Sequence, residues 1–417
     1  MRIVVYPHVL SIGGSQLNAI ELAAAVRDRG HDVTIFAAET GSLATTIKEL
    51  DLPLVLAPPH RVRPSMQIAC ALRDLCRSEN IDVVHGYEWP PSIEGFYGPL
   101  LSDGVTVGCT AMSMSVAPFI PSSMPLIVGT EQIAAAARTG RSGPIRVIEP
   151  PVDVQSNSPM IDGQGFRAEF DLDDRPTIVV VSRLAVALKL EGLERAIAAV
   201  DLLADQTGAR LVIVGDGPAH QALASAAAKV NQRTGDKTII LTGERADPRS
   251  AYAAADIILG MGGSALRAMA FAKPVIVLGE RGFSELLTPD TAEMFLWQGF
   301  YGLGDGNTRP EPLANILAGL LQSESRRSEL AAFSRKFVED RFSLTGAAER
   351  QIGFYEEWMR ERPSRITLFR EAASTAAQLL VHKARGRFVR LTGRQAPEDF
   401  NAVDEIAKVA KFSRQSP

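Results

Sequence analysis

Cysteine is scarce in this chain of 417 residues: there are three, Cys70, Cys76 and Cys109. They have no metal-ligand spacing and cannot all pair, which excludes a disulfide-stapled scaffold and fits a reducing compartment. They read as small buried hydrophobes. Long apolar runs are also missing, and MRIVVYPHVL goes straight into a strand without a charged lead, an apolar region or a cleavage site. The chain is therefore expected in the cytoplasm. Charge of one sign is not in excess, since the net charge of −4 is near neutral and argues against nucleic acid as a partner. Aromatic residues make up only 6% of the chain, so a local cluster of them stands out.

What is present points to parallel α/β structure. The segment TIVVVSRLAVALKLEG, Thr177–Gly192, opens on a β-branched apolar run and ends in a loop carrying Arg183 and Lys189. Such a run is what a parallel strand covered on both faces looks like, and ligands of such sheets sit beyond the strands' carboxyl ends. Leu193, Ile197 and Val200 then recur at helical spacing. Two cations beside a helix N-terminus suit a phosphate. The alternative is an Arg183 paired with a structural carboxylate and a solvated Lys189.

In chain order, Ile3–Tyr6 reads as a strand, Ser11–Gly14 as a glycine loop, Leu17–Arg29 as a helix and Val33–Phe36 as the next strand. The Gly13-Gly14 turn lets backbone N–H groups approach an anion or a sugar, but it lacks the three-glycine spacing and following acid of a dinucleotide site, so NAD and FAD are rejected. Strands at Leu54–Leu56, Val83–His85, Val105–Cys109 and Leu126–Val128 complete a first doubly wound domain. Within it VVHGYEWPPSIEGFYG places His85, Tyr87, Trp89, Phe96 and Tyr97 together. Flat aromatic faces suit a sugar or lipid-sugar acceptor; the alternative is a loop packed by its own aromatics, with His85 capping the strand. Prolines in Ile145–Pro159 mark a hinge.

After the hinge the alternation resumes, with strands at Ile178–Val181, Leu211–Val214, Ile239–Thr242, Ile257–Leu259 and Val275–Leu278 and a glycine loop at Gly260–Gly263. The stretch from Arg360 to Arg394 is basic, with Arg365, Arg370, Lys383, Arg385, Arg387, Arg390 and Arg394 around an apolar line of Phe369, Ala373, Ala376 and Leu380. Such a helix can lie on an anionic membrane surface or pack its apolar line on the body. Packing is the expectation.

The ordered set GGSQLNAIELAAAVRDRGHDVTIF, IEPPVDV, VVSRL with Lys189, IVGDGP, LTGE, AYAAADIIL, AMAFAKPVIV and GERGFSE resembles the family 4 glycosyltransferases of the GT-B fold, over roughly residues 1–360. That resemblance implies two Rossmann-like domains facing across a cleft. Residues 1–155, completed by helices at about 345–375, would hold the acceptor, residues 160–344 the donor, and 363–417 would form a basic helical tail. It implies retaining transfer of a hexose-type sugar from a nucleoside-diphosphate sugar to a glycan, lipid-linked or small-molecule acceptor, without a cofactor or metal. Such transfer would serve cell-surface glycan, glycolipid or secondary-metabolite synthesis. The tail's own charge, apart from the resemblance, allows peripheral contact at the inner membrane face.

By the same resemblance Arg183 and Lys189 would neutralise the donor's diphosphate. Gly13, Gly14, Gly215, Gly262, Gly263, Ser264, Ala265, Arg267 and Glu285 would line the donor, and His85, Tyr87 and Trp89 the acceptor. Read on its own, Gly215-Asp216-Gly217 is a turn. The sequence departs from the family in three places. The usual pair of Glu residues around the glycine loop is absent, with Arg267 standing before Ala268-Met269-Ala270. No His occurs in TAMSMS, Thr110–Ser115. Lys189 lies three residues before Gly192. Arg267 is expected in the first turn of a helix beginning near Ser264, facing a phosphate; the alternative is an Arg extended into solvent or paired with Glu280 or Glu285. A sugar-nucleotide epimerase of similar fold and a catalytically degenerate partner subunit are the rival readings.

Overall fold

The computed structural model describes residues 1–391 except Ile12 and Met114. The chain divides into two units, one formed by residues from Met1 to Pro150 together with those from Leu344 onward, the other by Pro151–Ser343.

The first unit is built on seven strands, β1 (Arg2–Tyr6), β2 (Asp32–Ala37), β3 (Leu54–Leu56), β4 (Val83–Tyr87), β5 (Thr106–Ala111), β6 (Leu126–Val128) and β7 (Ile145–Val147), in the order β3-β2-β1-β4-β5-β6-β7. All neighbours are parallel. Ile3, Val4, Val5 and Tyr6 are all buried, because helices cover both faces of the sheet. One of those covers comes from the far end of the sequence. The helix Leu344–Arg360 buries Ala347, Ala348, Tyr355 and Trp358 in the same core as Ile3, Val5 and the helix Gly14–Arg27. A Cβ at Gly108 would lie 2.1 Å from the Trp358 ring, so glycine is what admits the indole against β5.

The last described helix, Arg365–Leu391, also belongs to this unit, but not in the expected orientation. Leu368 and Thr375 are buried, the Thr375 hydroxyl donates to the Phe119 carbonyl (3.1 Å), and the Tyr97 hydroxyl donates to the Ala372 carbonyl (2.6 Å). The line Phe369, Ala373, Ala376 and Leu380, expected to pack, faces solvent. Hydrogen-bonding positions, not the most apolar stripe, decided which face docks. Arg394 and the rest of 392–417 lie outside the described residues.

The second unit has β8 (Thr177–Val181), β9 (Arg210–Val214), β10 (Ile239–Gly243), β11 (Ile257–Gly260), β12 (Val275–Leu278) and β13 (Ser284–Leu286), in the order β10-β9-β8-β11-β12-β13. All pairs are parallel except β12 with β13. The five β-branched runs read from the sequence form the parallel strands. The antiparallel β13 was not foreseen, since it is three residues long and follows a turn where Gly279 and Gly282 press against the backbone of Gly302 and Asn307.

Candidate functional site

The second sheet reverses direction at β8: the chain builds β9 and β10 on one side of it, then crosses to place β11 on the other. Beyond the carboxyl ends of such a pair lies the natural ligand crevice of an open α/β sheet. Here Val180, Ser182, Lys189, Leu193, Gly260, Met261, Ser264 and Leu278 line a small cavity.

Lys189 is the cap residue of the helix Leu190–Thr207, which begins three residues earlier than its apolar periodicity suggests. Its ammonium is partly buried and 2.8 Å from the Met261 sulfur, and it forms no ion pair among the described residues. Burial alone moves its pKa down to about 8. Its backbone is fixed by the preceding residue, because Leu188 sits at φ 68, in the left-handed region, and gives its N–H to Glu280 Oε1 (3.1 Å). Glu280 Oε2 in turn accepts from the Tyr301 hydroxyl (2.8 Å), so this carboxylate holds the loop and is not a partner for Arg267.

Across the cavity, Gly262 caps the helix Gly263–Ala270 with φ 57, and its N–H donates to the Phe300 carbonyl (2.6 Å). The Ser264 hydroxyl accepts from Met261 N–H (3.1 Å) and lies 3.0 Å from the Met261 carbonyl, closing the loop on itself. Ala265 is wholly buried and bonded back to Gly262, so its side chain supports the turn and cannot line a ligand. Arg267 is the fifth residue of this helix and so falls in its second turn, not the first. Its Nη1 nonetheless lies 3.9 Å from where a Cβ on Gly263 would be, so the guanidinium leans back toward the helix start. The guanidinium and the helix start therefore share one side, and both favour an anion there.

The other expected positions separate. Arg183 is exposed and does not line the cavity: Leu184 beside it is fully buried, with its N–H on the Asp216 carbonyl, which turns Arg183 outward. Gly215 has φ +143, and a Cβ there would stand 1.9 Å from the Ser182 carbonyl oxygen. Its part is to let two backbones touch, consistent with the turn reading. Glu285 is on the edge strand β13, paired with Val277. Gly13 and Gly14 open the first helix of the first unit.

The aromatic reading of the first unit is corrected at His85 and Tyr87. His85 is fully buried, with Nδ1 2.8 Å from the Tyr355 hydroxyl and Nε2 2.7 Å from the Thr110 hydroxyl, and burial depresses its pKa to about 3. Tyr87 is buried beside it, its hydroxyl pKa raised by desolvation. Trp89 packs edge-on against Phe119 and His382, at 5.0 and 6.0 Å between ring centres. His85 and Tyr87 are core, because a strand fully covered on both faces buries every side chain it carries, whereas Trp89, on the helix that follows, is only half-buried.

Between Tyr87 and Trp89 stands a residue that sequence reasoning missed. Glu88 follows β4, whose neighbour β1 marks the reversal point of the first sheet, and it holds φ 66 and ψ 175, a region nearly reserved for glycine. Its carboxylate accepts from the Ser15 hydroxyl (3.3 Å), Met112 N–H (3.0 Å) and the Ser113 hydroxyl (2.8 Å). It therefore ties the end of β4 to the first turn of the helix Gly14–Arg27 and to the loop after β5. An acid directly beyond a buried strand was the available signal.

Two doubly wound parallel sheets, each with polar groups gathered at its reversal point and with terminal helices returning to the first, define a GT-B glycosyltransferase architecture. Two family models agree. Residues 12–111 match "Glycosyltransferase Family 4" and residues 175–322 match "Glycosyl transferases group 1", together more than half of the chain. The chain belongs to the group 1, family 4 glycosyltransferases. Among curated proteins it is similar to the D-inositol 3-phosphate glycosyltransferase of Xylanimonas cellulosilytica, 23% identical over 85% of this chain and 94% of that one. Among solved structures it resembles in fold a glycosyltransferase from Rickettsia africae (TM-score 0.69, 15% identity, 86% of this chain and 99% of the other). It likewise resembles Anabaena HepE in complex with UDP-glucose (TM-score 0.65, 15% identity, 86% and 100%).

Proposed function

We propose that this chain transfers a hexose-type sugar, with retention, from a nucleoside-diphosphate sugar to an acceptor hydroxyl, and that the second unit binds the donor's diphosphate. The observation that carries this reading is Lys189: a partly buried ammonium set against the Met261 thioether and in no ion pair among the described residues, facing a glycine-capped helix start at the reversal point of a parallel sheet. The relatives support a nucleotide sugar as donor, since HepE is named with UDP-glucose. In this reading Lys189 and the Gly263–Ala270 helix start neutralise the diphosphate, Arg267 takes a phosphate contact in place of the family's ribose-binding Glu, and Arg183 swings in from solvent. Protein cations do the work of a metal ion.

The step balances without a protein nucleophile. The bond from the sugar's anomeric carbon to the β-phosphate oxygen breaks with its electron pair going to the phosphate. The acceptor oxygen bonds to the same face of that carbon, and the acceptor's proton passes to the departing phosphate oxygen. Stabilising the leaving diphosphate is then the main contribution to rate. On the first unit's side, Glu88 is the candidate to hold a further hydroxyl of the acceptor, one that does not react, once Ser15 or Ser113 yields its place.

Titration calorimetry with UDP, GDP, ADP and dTDP tests the donor side. One of these should bind, and Lys189→Ala should weaken it by about 1.5–3 kcal/mol, the worth of a charge-assisted contact. Arg267→Ala should weaken the nucleoside diphosphate far more than the bare nucleoside. Unchanged affinity in both variants would end the assignment. Turnover of the matching nucleotide sugar completes the test, with Glu88→Gln expected to keep nucleotide binding and lose transfer. An epimerised donor would point to the epimerase instead, and binding with neither hydrolysis nor transfer to a partner subunit.

A further inference from the structure

The helix Arg365–Leu391 presents two faces, and the fold uses only one. Leu368, Thr375 and His382 follow helical spacing along the docked side, where His382 meets Phe119 and Trp89. On another side Ile366, Phe369 and Leu380 are 68%, 68% and 70% exposed, and Val381 beside them is 53% exposed. Alanines 373, 376 and 377 continue this stripe and are exposed as well. Large aliphatic and aromatic groups in a row on a surface helix mark a contact surface, whereas scattered ones do not.

The charge around the stripe says what it contacts. From Arg365 to Leu391 the sequence holds six cations and one acid, Glu371. That acid is turned into the body: its carboxylate accepts from the Ser122 hydroxyl (2.7 Å) and Ser123 N–H (2.7 Å). Arg365, Arg370 and Lys383 thus flank the apolar stripe with their charge uncompensated by the helix's own acid. A helix lying flat at an interface needs this pattern, with apolar groups reaching the acyl boundary and cations at headgroup level. No described helix is long and apolar enough to cross a membrane, so contact of this kind would be lateral.

We infer that the Phe369–Leu380 face of this helix docks the protein on an anionic lipid surface. The surface is independent of the donor reading and holds whatever the sugar. The test is co-sedimentation of the full chain with vesicles of phosphatidylcholine alone, or mixed with phosphatidylglycerol, at low and high salt. The expected result is binding to the mixed vesicles only, lost at high salt. Arg365→Gln, Arg370→Gln and Lys383→Gln should weaken it by about fivefold for each cation replaced. Phe369→Ser with Leu380→Ser should weaken it too, with the melting temperature unchanged because both side chains are exposed. Failure to bind anionic vesicles at low salt would overturn the inference, as would binding indifferent to both sets of substitutions. So would light scattering that finds a dimer broken by Phe369→Ser, which would make a second copy the occupant. A chain ending at Leu391 that no longer binds, while the helix substitutions have no effect, would move the determinant to residues 392–417 and equally overturn it.

Discussion

Lys189 titrates where few lysines do, and the consequence can be worked out in sign. Burial lowers its pKa from 10.5 to about 8, so between those values the unfolded chain carries a proton that the folded one has released. The unfolded state then binds more protons, and Lys189's contribution makes folding more favourable as pH rises through that window. Anion binding runs the other way. A diphosphate needs the ammonium, so nucleotide affinity should be greatest below about pH 8 and fall above it, by up to about tenfold per pH unit until the bound-state pKa is reached. Calorimetry across that range should show the decline, and Lys189→Arg, which stays charged, should flatten it. An identical decline in the Arg variant would assign the titration to another group.

Elements matter here through how closely their ends approach. The loop after β8 can carry its residues to the cavity only because Gly215 follows β9, its absent side chain letting Ser182 and Val214 share a hydrogen bond of 3.0 Å. Gly215→Ala would place a methyl 1.9 Å from a backbone oxygen, and neither backbone can step aside cheaply. A loss of about 1–3 kcal/mol of stability is expected, as in overpacked cores, together with weaker nucleotide binding. Gly235→Ala is the control: φ is +68 but its surroundings are open, so it should cost stability, by about 1 kcal/mol from backbone strain, and leave nucleotide affinity alone. Thermal melting and titration of both variants separate a loop that positions the site from one that merely exists.

At the scale of the molecule, chain order and unit membership part company. The first unit's core is completed by Ala347, Ala348, Tyr355 and Trp358, which come after the whole of the second unit in sequence. Trp358→Ala should therefore destabilise the first unit by about 3–5 kcal/mol, the usual cost of deleting a buried large aromatic side chain. Nucleotide binding by the second unit, whose residues are all supplied between Pro151 and Ser343, should survive while that unit stays folded. A chain ending at Ser343 should leave the first unit's apolar face bare and the product aggregated. Two separate thermal transitions, of which only the earlier moves in Trp358→Ala, would be the calorimetric sign.

The strands were readable because β-branched runs such as Thr177–Val181 and Val275–Leu278 suit a pleat buried on both sides whatever surrounds it, and their spacing carried the doubly wound reading. The placement of a cation beside a helix start was also readable in Lys189. The tertiary structure alone decided that Lys189 lines the cavity while Arg183 points to solvent, since burying Leu184 fixes which way that loop turns. It alone decided that His85 and Tyr87 are core, because the helix bringing Tyr355 against them arrives from the far end of the chain. Glu88 gains its meaning only when a helix start and a loop distant in sequence converge on its carboxylate. The helix Arg365–Leu391 shows the same limit: its periodicity reveals that an apolar stripe exists, but what covers a stripe is set by neighbours, and Phe119 and Ser122 offered hydrogen bonds to a different face.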